Sequence, residues 1–160
     1  MEIKSYQAEY QKQITQLVLG IQQEEFGVEI TLSDQPDLAD IPSYYSGAKG
    51  HFWIALEGNK VIGTIAVIFL SDGNVAIRKL FTDPLYRGKK YQTGLGLLQT
   101  LEKFCAEQGK TRIYLGTTAL FKAAHRFYEK NGYEEINQAD LPVDFDVMAV
   151  DSKFYRKNLN

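Results

Sequence analysis

The stretch from Leu80 to Tyr133 constrains the fold more than any other part of the chain, because it holds two dense patterns at a fixed separation. The first, LFTDPLYRGKKYQTGLGLLQTLEKF, opens with a β-prone run ending at Thr82. It passes through a turn and a basic, glycine-containing loop, then continues as a helix from Thr93 to Gln108. Leu97, Leu98, Leu101, Phe104 and Cys105 fall on one apolar stripe of that helix, and Gly109 closes it. The second, FKAAHRFYEKNGY, belongs to a short helix from Ala119 to Lys130 that carries Tyr128 and is stopped by Asn131 and Gly132. Between the two, RIYLGTT reads as a buried strand, so strand, helix, strand and helix alternate here.

The flanking sequence completes a mixed sheet. Ile3 and Tyr6 bracket a short opening strand, and Tyr10, Ile14, Leu17, Val18 and Ile21 recur at helical spacing up to about Glu25, where Gly27 stops the helix. The segment SDQPDLADIPSYYSGAKG breaks this pattern with its prolines and cap residues. It predicts a loop with a short helix near Asp37 to Tyr45, of the kind that forms a lid or a substrate wall. From His51 the pattern turns to strands, with a hairpin about Glu57, Gly58, Asn59 and Lys60 and a second turn at Asp72 and Gly73 leading into NVAIRKLF. Glu134 to Asn137 and Phe145 to Val150 are expected to add the last strands. The predicted class is α/β (α+β): a mixed, mostly antiparallel sheet of about six to seven strands flanked by about four helices.

At 160 residues the chain is long enough to bury most of its apolar surface and too short for two full cores, which predicts one domain over 1–160. Its 18 basic and 20 acidic residues nearly cancel, so the overall charge points to no nucleic-acid partner. Cys105 is the single cysteine; it cannot form an internal disulfide, and its place after Phe104 on a helix marks it as a packing residue. No apolar run has the length of a membrane span, and MEIKSYQAEY has no signal-peptide core, so the expected location is cytoplasmic with no membrane partner.

The loop between the first strand and its helix has the chemistry of a diphosphate cradle. Such a site needs several converging backbone N–H groups, a helix N-terminus behind them and a cation beside them. Arg87, Gly88, Lys89, Lys90, Tyr91, Gln92, Thr93 and Gly94 supply three positive charges and two glycines just ahead of a helix. The stretch is neither a Walker loop nor a dinucleotide fingerprint, because GxxxxGK[ST] and GxGxxG are both absent.

In this order, and with RIYLGTT between them, the two strings resemble motifs A and B of the GNAT superfamily of acetyl-CoA-dependent N-acetyltransferases. The resemblance is close over residues 74–136 and looser over the whole chain, including the closing VMAVDSKFYRK strand. Motif A departs from the common pattern. Counted back from the helix, Lys89, Gln92 and Gly94 occupy its key places, with Gln92 standing where the first glycine is usual; counted forward from Arg87 and Gly88, Lys90 takes that place. RGKKYQTG is therefore a longer variant loop. The resemblance implies that the backbone of Leu80, Phe81 and Thr82 splays from the RIYLGTT strand and binds the pantetheine arm like an added strand, a distortion near Ile77 to Leu80 opening the gap. Phe121 departs from the family as well, standing where asparagine is frequent; its aromatic face and the Lys122 cation suit the adenine or pantetheine end of the ligand.

For acetyl transfer to an amine, a tetrahedral oxyanion must be stabilised, a thiolate expelled and the amine deprotonated. By the resemblance Tyr128 is the acid at the sulfur, its ordinary pKa of about 10 lying close to that of a thiol, and the N–H of Leu80 or a neighbour is the oxyanion donor. No carboxylate occurs between residues 75 and 82, so the base found on this strand in some relatives is missing. Glu24 and Glu25 at the first helix end, Tyr45 in the irregular segment and His125 one turn before Tyr128 are the candidate acceptor-site residues, with water-relayed deprotonation as the default route. Two histidines and one cysteine, widely scattered, make no metal site. The expected function is transfer of acetyl from acetyl-CoA to a primary amine of a small molecule or peptide by a monomer or homodimer; the alternative is a non-catalytic acyl-CoA sensor or interaction module on the same fold.

Overall fold

A computed structural model describes residues 1–159. Among the described residues seven strands are present in the order β1-β2-β3-β4-β5-β7-β6. They are β1 (Glu2–Ser5), β2 (Gly50–Glu57), β3 (Lys60–Phe69), β4 (Asn74–Thr82), β5 (Arg112–Thr117), β6 (Glu134–Ile136) and β7 (Lys153–Asn158). Among the described residues there are five α-helices: α1 (Gln11–Leu19), α2 (Pro36–Ala39), α3 (Ile41–Tyr44), α4 (Thr93–Glu107) and α5 (Lys122–Lys130). The pairs β1–β2, β2–β3, β5–β7 and β6–β7 are antiparallel and β4–β5 is parallel, the mixed, mostly antiparallel sheet expected from the sequence. The chain divides into two compact units, one of Met1–Ile68 with Arg78–Lys103, the other of Phe69–Ile77 with the residues from Phe104 onward.

In the first unit the hairpin of β2 and β3 turns where the sequence places it. Glu57 pairs with Lys60, and Gly58 takes the left-handed φ of 59° that the two-residue turn requires. Ile14 and Val18, four residues apart on α1, are fully buried against Leu38 and Ile41 of the two short helices and Phe52, Ile54 and Leu56 of β2. The first helix reaches Glu25, as its periodicity predicts, but its last six residues, Gly20–Glu25, are π-helical. Phe26 N–H there bonds Ile21 O at 3.2 Å, five residues back, which is the wider π spacing.

In the second unit β4 and β5 pair over three positions, Asn74 with Arg112, Val75 with Ile113 and Ala76 with Tyr114. Ala76, Tyr114, Phe145 and Phe154 form a buried cluster joined by Leu70, Ile136 and Leu141. The strand expected at Phe145 to Val150 does not form. Pro142 starts a turn whose carbonyl accepts Phe145 N–H at 3.0 Å, and Phe145 is buried while Val147, Met148 and Val150 are exposed, so the run lacks an inward-facing alternation. Asp151 then closes a second turn, accepting Met148 N–H at 2.9 Å and donating its own N–H to Met148 O at 3.0 Å. The closing strand comes after this turn as β7. The helix α5 likewise starts at Lys122, three residues later than Ala119, because Ala119 and Leu120 are held in a turn: Ser152 Oγ accepts Ala119 N–H and Thr118 O accepts Phe121 N–H.

Candidate active site

β4 carries its irregularity within the interval where the sequence predicts one. Lys79 sits at φ 54°, a left-handed conformation that a residue with a Cβ rarely adopts. Thr64, buried on β3, donates its hydroxyl to the Lys79 carbonyl at 2.7 Å. The Lys79 ammonium lies 2.5 Å from Gln35 Oε1 and 3.6 Å from Asp37 Oδ2, with both ends of the ion pair mostly buried. Asp37 also accepts the Tyr45 hydroxyl at 2.5 Å, and Gln35 exchanges side-chain hydrogen bonds with Gln22 of the π-helical stretch at 2.9 and 3.1 Å. Burial first, and then the Asp37 charge, push the Tyr45 phenol well above its ordinary range, so it stays protonated as the donor of that bond.

The loop after β4 is exposed from Arg87 to Gln92. Gly88 has φ 94° and Gln92 φ 54°, so Gln92 adopts just before α4 the conformation that glycine favours. Its side chain reaches back to Lys89 O at 2.9 Å. Gly96 N–H to Gln92 O, at 2.9 Å, is the bond that starts α4, which leaves the N–H groups of Thr93, Gly94 and Leu95 without intrahelical acceptors. Thr93, buried at the first position of α4, has a hydroxyl with no hydrogen-bond partner among the described residues. Three orphan amides and an orphan hydroxyl beside Lys89 and Lys90 suit a phosphate-bearing ligand.

Arg87 and Glu25, which the sequence assigns separately to cofactor and acceptor, are paired with each other. The guanidinium forks onto the carboxylate at 2.5 and 2.8 Å and donates Nε–H to Thr82 O at 2.9 Å. Both side chains are partly exposed, so this pair is worth no more than about 1 kcal/mol. It does bind the π-helical end to the loop. Glu24 is exposed.

Gly63 of β3 lies beneath this loop. A Cβ there would approach Leu97 Cδ1 to 2.9 Å, Thr93 Cγ2 to 3.1 Å and the Phe81 carbonyl oxygen to 3.2 Å. Gly63→Ala should therefore cost about 1 to 3 kcal/mol by overpacking against the first turn of α4. Gly96→Ala is the control, since its Cβ meets only the flexible tips of Ile3 and Met1. Thermal melting should show the first variant destabilised and the second unchanged or raised.

In the second unit Tyr128 is buried on α5 among Phe127, Tyr133 and Tyr155, with ring centroids 5.7, 5.6 and 5.9 Å away. Burial pushes its phenol above the ordinary value. The helix ends as predicted: Asn131 Nδ2 donates to Phe127 O at 2.8 Å and Gly132 takes φ 91°. His125 is buried with Nε2 2.9 Å from Thr118 O. A carbonyl can only accept, so that nitrogen carries the proton and donates it there. Phe121 stands at the cap position of α5, partly buried.

The polar cluster of Gln22, Gln35, Asp37 and Lys79 is not anticipated from the sequence. A signal for it exists: Arg78 and Lys79 interrupt an otherwise apolar strand, and buried cations need partners that the local sequence does not hold. Among the described residues no group of three or more His, Cys, Asp or Glu side chains is placed to hold a metal ion, and no helix is long and apolar enough to cross a membrane.

The sequence model described as "Acetyltransferase (GNAT) family" matches residues 16–133. A crystal structure of a GNAT-family acetyltransferase from Staphylococcus aureus MU50 is 38% identical, covers 99% of each chain and superposes with a TM-score of 0.95. An acetyltransferase structure from Streptococcus agalactiae is 36% identical over 98% of this chain and 97% of that one, with a TM-score of 0.93. The N-acetylaspartate synthetase of Danio rerio is 33% identical over 106 residues, which are 65% of this chain and 37% of that relative, so the chain spans well under half of the curated relative's length. The chain belongs to the acetyltransferase (GNAT) family, and the mixed, mostly antiparallel sheet expected from its sequence is the one it forms.

Proposed function

We propose that this chain, acting as one acetyltransferase domain over residues 1–160, moves the acetyl group of acetyl-CoA to the primary amine of a small molecule or peptide by direct attack. The observation that carries this reading is the succession, in one unit, of the Lys79 irregularity, the Leu80–Thr82 backbone and the open N-terminus of α4 behind Lys89 and Lys90. The amide-rich helix start and the two lysines would take the diphosphate, with the unpartnered Thr93 hydroxyl as an added donor. The Leu80–Thr82 backbone would bind the pantetheine arm, and an N–H of that segment would stabilise the oxyanion.

In the transfer step the neutral amine nitrogen adds to the thioester carbonyl, the C–N bond forms and the carbonyl electrons move to oxygen. Collapse breaks the C–S bond, and the thiolate takes the Tyr128 proton. The ammonium proton passes through water to solvent, from which Tyr128 is reprotonated. Tyr128 is assigned by its motif and its chemistry; Tyr45 and His125, committed to Asp37 and Thr118 O, serve as packing and hydrogen-bonding residues in this scheme.

Acetyl-CoA at a hundred times its dissociation constant should add about 2.7 kcal/mol of stability, read as a raised melting temperature. An unmoved melting curve at millimolar CoA removes the donor from this reading. Thiol release from acetyl-CoA across a panel of amines, with aspartate, glutamate and aminoglycosides among them, tests the transfer itself. Turnover with one amine supports it, and binding with no turnover on any amine makes the chain an acyl-CoA sensor.

A further inference from the structure

A left-handed lysine is costly unless its side chain is wanted where that conformation sends it. Glycine meets the φ of 54° at position 79 without strain, whereas lysine does so against the steric preference of its Cβ. The structure shows what accompanies the strain. The Lys79 side chain turns inward onto Gln35 and Asp37, and its carbonyl is held from the other side by the buried Thr64 hydroxyl. Both anchors belong to the irregular segment between residues 31 and 45, and each is itself held: Asp37 by Tyr45, Gln35 by Gln22 of the π-helical stretch and by Thr31 O at 3.3 Å. Gln22 is 8% exposed, Gln35 3% and Tyr45 3%, so these bonds form out of water, where a broken partner is expensive.

We infer that Lys79 is a positioning residue for acyl transfer, its side chain anchored by Gln35 and Asp37 so that the irregularity of β4 presents the Leu80–Thr82 backbone in one register. This deepens the transferase reading and rests on it. It also joins the 31–45 segment to the strand that would hold the thioester, so an acceptor that moves this segment changes the register of the donor backbone. Asp37 acts through Lys79 and touches no reacting atom.

Three variants separate this role from simple strain or packing. Lys79→Gly fits the left-handed backbone better than lysine and removes the anchor. Lys79→Met keeps the stem and removes the charge. Asp37→Asn keeps a partner for Tyr45 and removes the carboxylate. Each is measured by thermal melting, by amide hydrogen exchange of the peptide covering residues 78–83, and by kcat and the Michaelis constant for acetyl-CoA. Lys79→Gly, in which relieved backbone strain offsets the lost side-chain bonds, should melt close to the parent, exchange faster over residues 78–83 and lose about 10- to 100-fold in kcat, the range for a displaced reacting group, with a smaller rise in the Michaelis constant because the diphosphate end at α4 is untouched. Lys79→Met and Asp37→Asn should reproduce that split, and the double variant Lys79→Met/Asp37→Asn should be no worse than either alone.

Parent-like kcat in Lys79→Gly overturns the assignment, as does a kcat loss with no change in exchange, which would make the ammonium itself the active element. A parent chain that turns over no amine sinks the transferase reading. In that case unchanged exchange in Lys79→Gly and Asp37→Asn overturns the anchoring as well, and accelerated exchange upholds it as a device of the acyl-CoA-binding strand.

Discussion

Tyr128→Phe should lower kcat by about 10² to 10⁴, the usual span for a positioned proton donor, and leave folding and acetyl-CoA binding nearly as they are. The substitution removes one oxygen and keeps the ring, so the contacts with Phe127, Tyr133 and Tyr155 survive. A thiolate departs tolerably without help, which sets the expectation at the lower end of the range. The pH profile supplies a second readout. Burial raises the Tyr128 phenol above its ordinary value of about 10, so the acid form persists through neutral and mildly alkaline pH. The alkaline fall of kcat that reports its ionisation should lie above pH 10, and the Phe variant should lack it. Parent-like turnover by Tyr128→Phe with a good acceptor would reduce Tyr128 to an aromatic packing residue.

Gly50→Ala should cost more stability than Gly63→Ala. A Cβ at Gly50 would stand 1.9 Å from the Val67 carbonyl oxygen and 3.0 Å from its carbon. Those are backbone atoms of β3 opposite the start of β2, where Gly50 pairs with Ile68, so no rotamer change relieves the contact. The backbone adds to the difficulty, since φ at Gly50 is 158°. Separating the strands would break the hairpin that buries Phe52 and Ile54, and a loss of about 4 kcal/mol is expected, at the upper end of point-mutation effects. Gly47→Ala isolates the conformational part: φ there is 59° with nothing within 4 Å of the added carbon. It should cost about 1 to 2 kcal/mol. Equal melting temperatures for Gly50→Ala and Gly47→Ala would show that β2 and β3 accommodate the clash.

The elements that periodicity describes were legible in the sequence. Ile14, Val18 and Ile21 repeat at helical spacing and are buried; the β2–β3 turn falls between Glu57 and Lys60; and Leu97, Leu98, Leu101 and Cys105 share the buried stripe of α4. The failure at Phe145 to Val150 has a local cause, because a few apolar side chains beside Pro142, Asp144 and Asp146 satisfy a strand count without alternating between two faces. The site divides in the same way. Loop composition and helix position are local, so the open start of α4 behind Lys89 and Lys90, with Thr93 and Gly94 in its first turn, could be read from the sequence. The link from Asp37 to Lys79 joins residues more than forty positions apart, and the pairing of Glu25 with Arg87 spans sixty-two, so neither leaves a mark in any short window. Gln92 is intermediate: the family motif marks it as standing in a glycine's place, and its φ of 54° supplies the physical content of that mark.

The π-helical end of the first helix, Gly20–Glu25, is an α-helix carrying one residue too many for its turn. Loss of a single residue within it would restore ordinary helical spacing and re-aim the side chains inside the stretch. Ile14 and Val18, which fasten the helix to the core, lie upstream and would not move. Gln22 and Glu25, which reach the Gln35 side chain and Arg87, lie inside the stretch and would be re-aimed together. A one-codon deletion would thus redirect the contacts of the helix end with Gln35 and Arg87 and carry the buried Ile21 along with them.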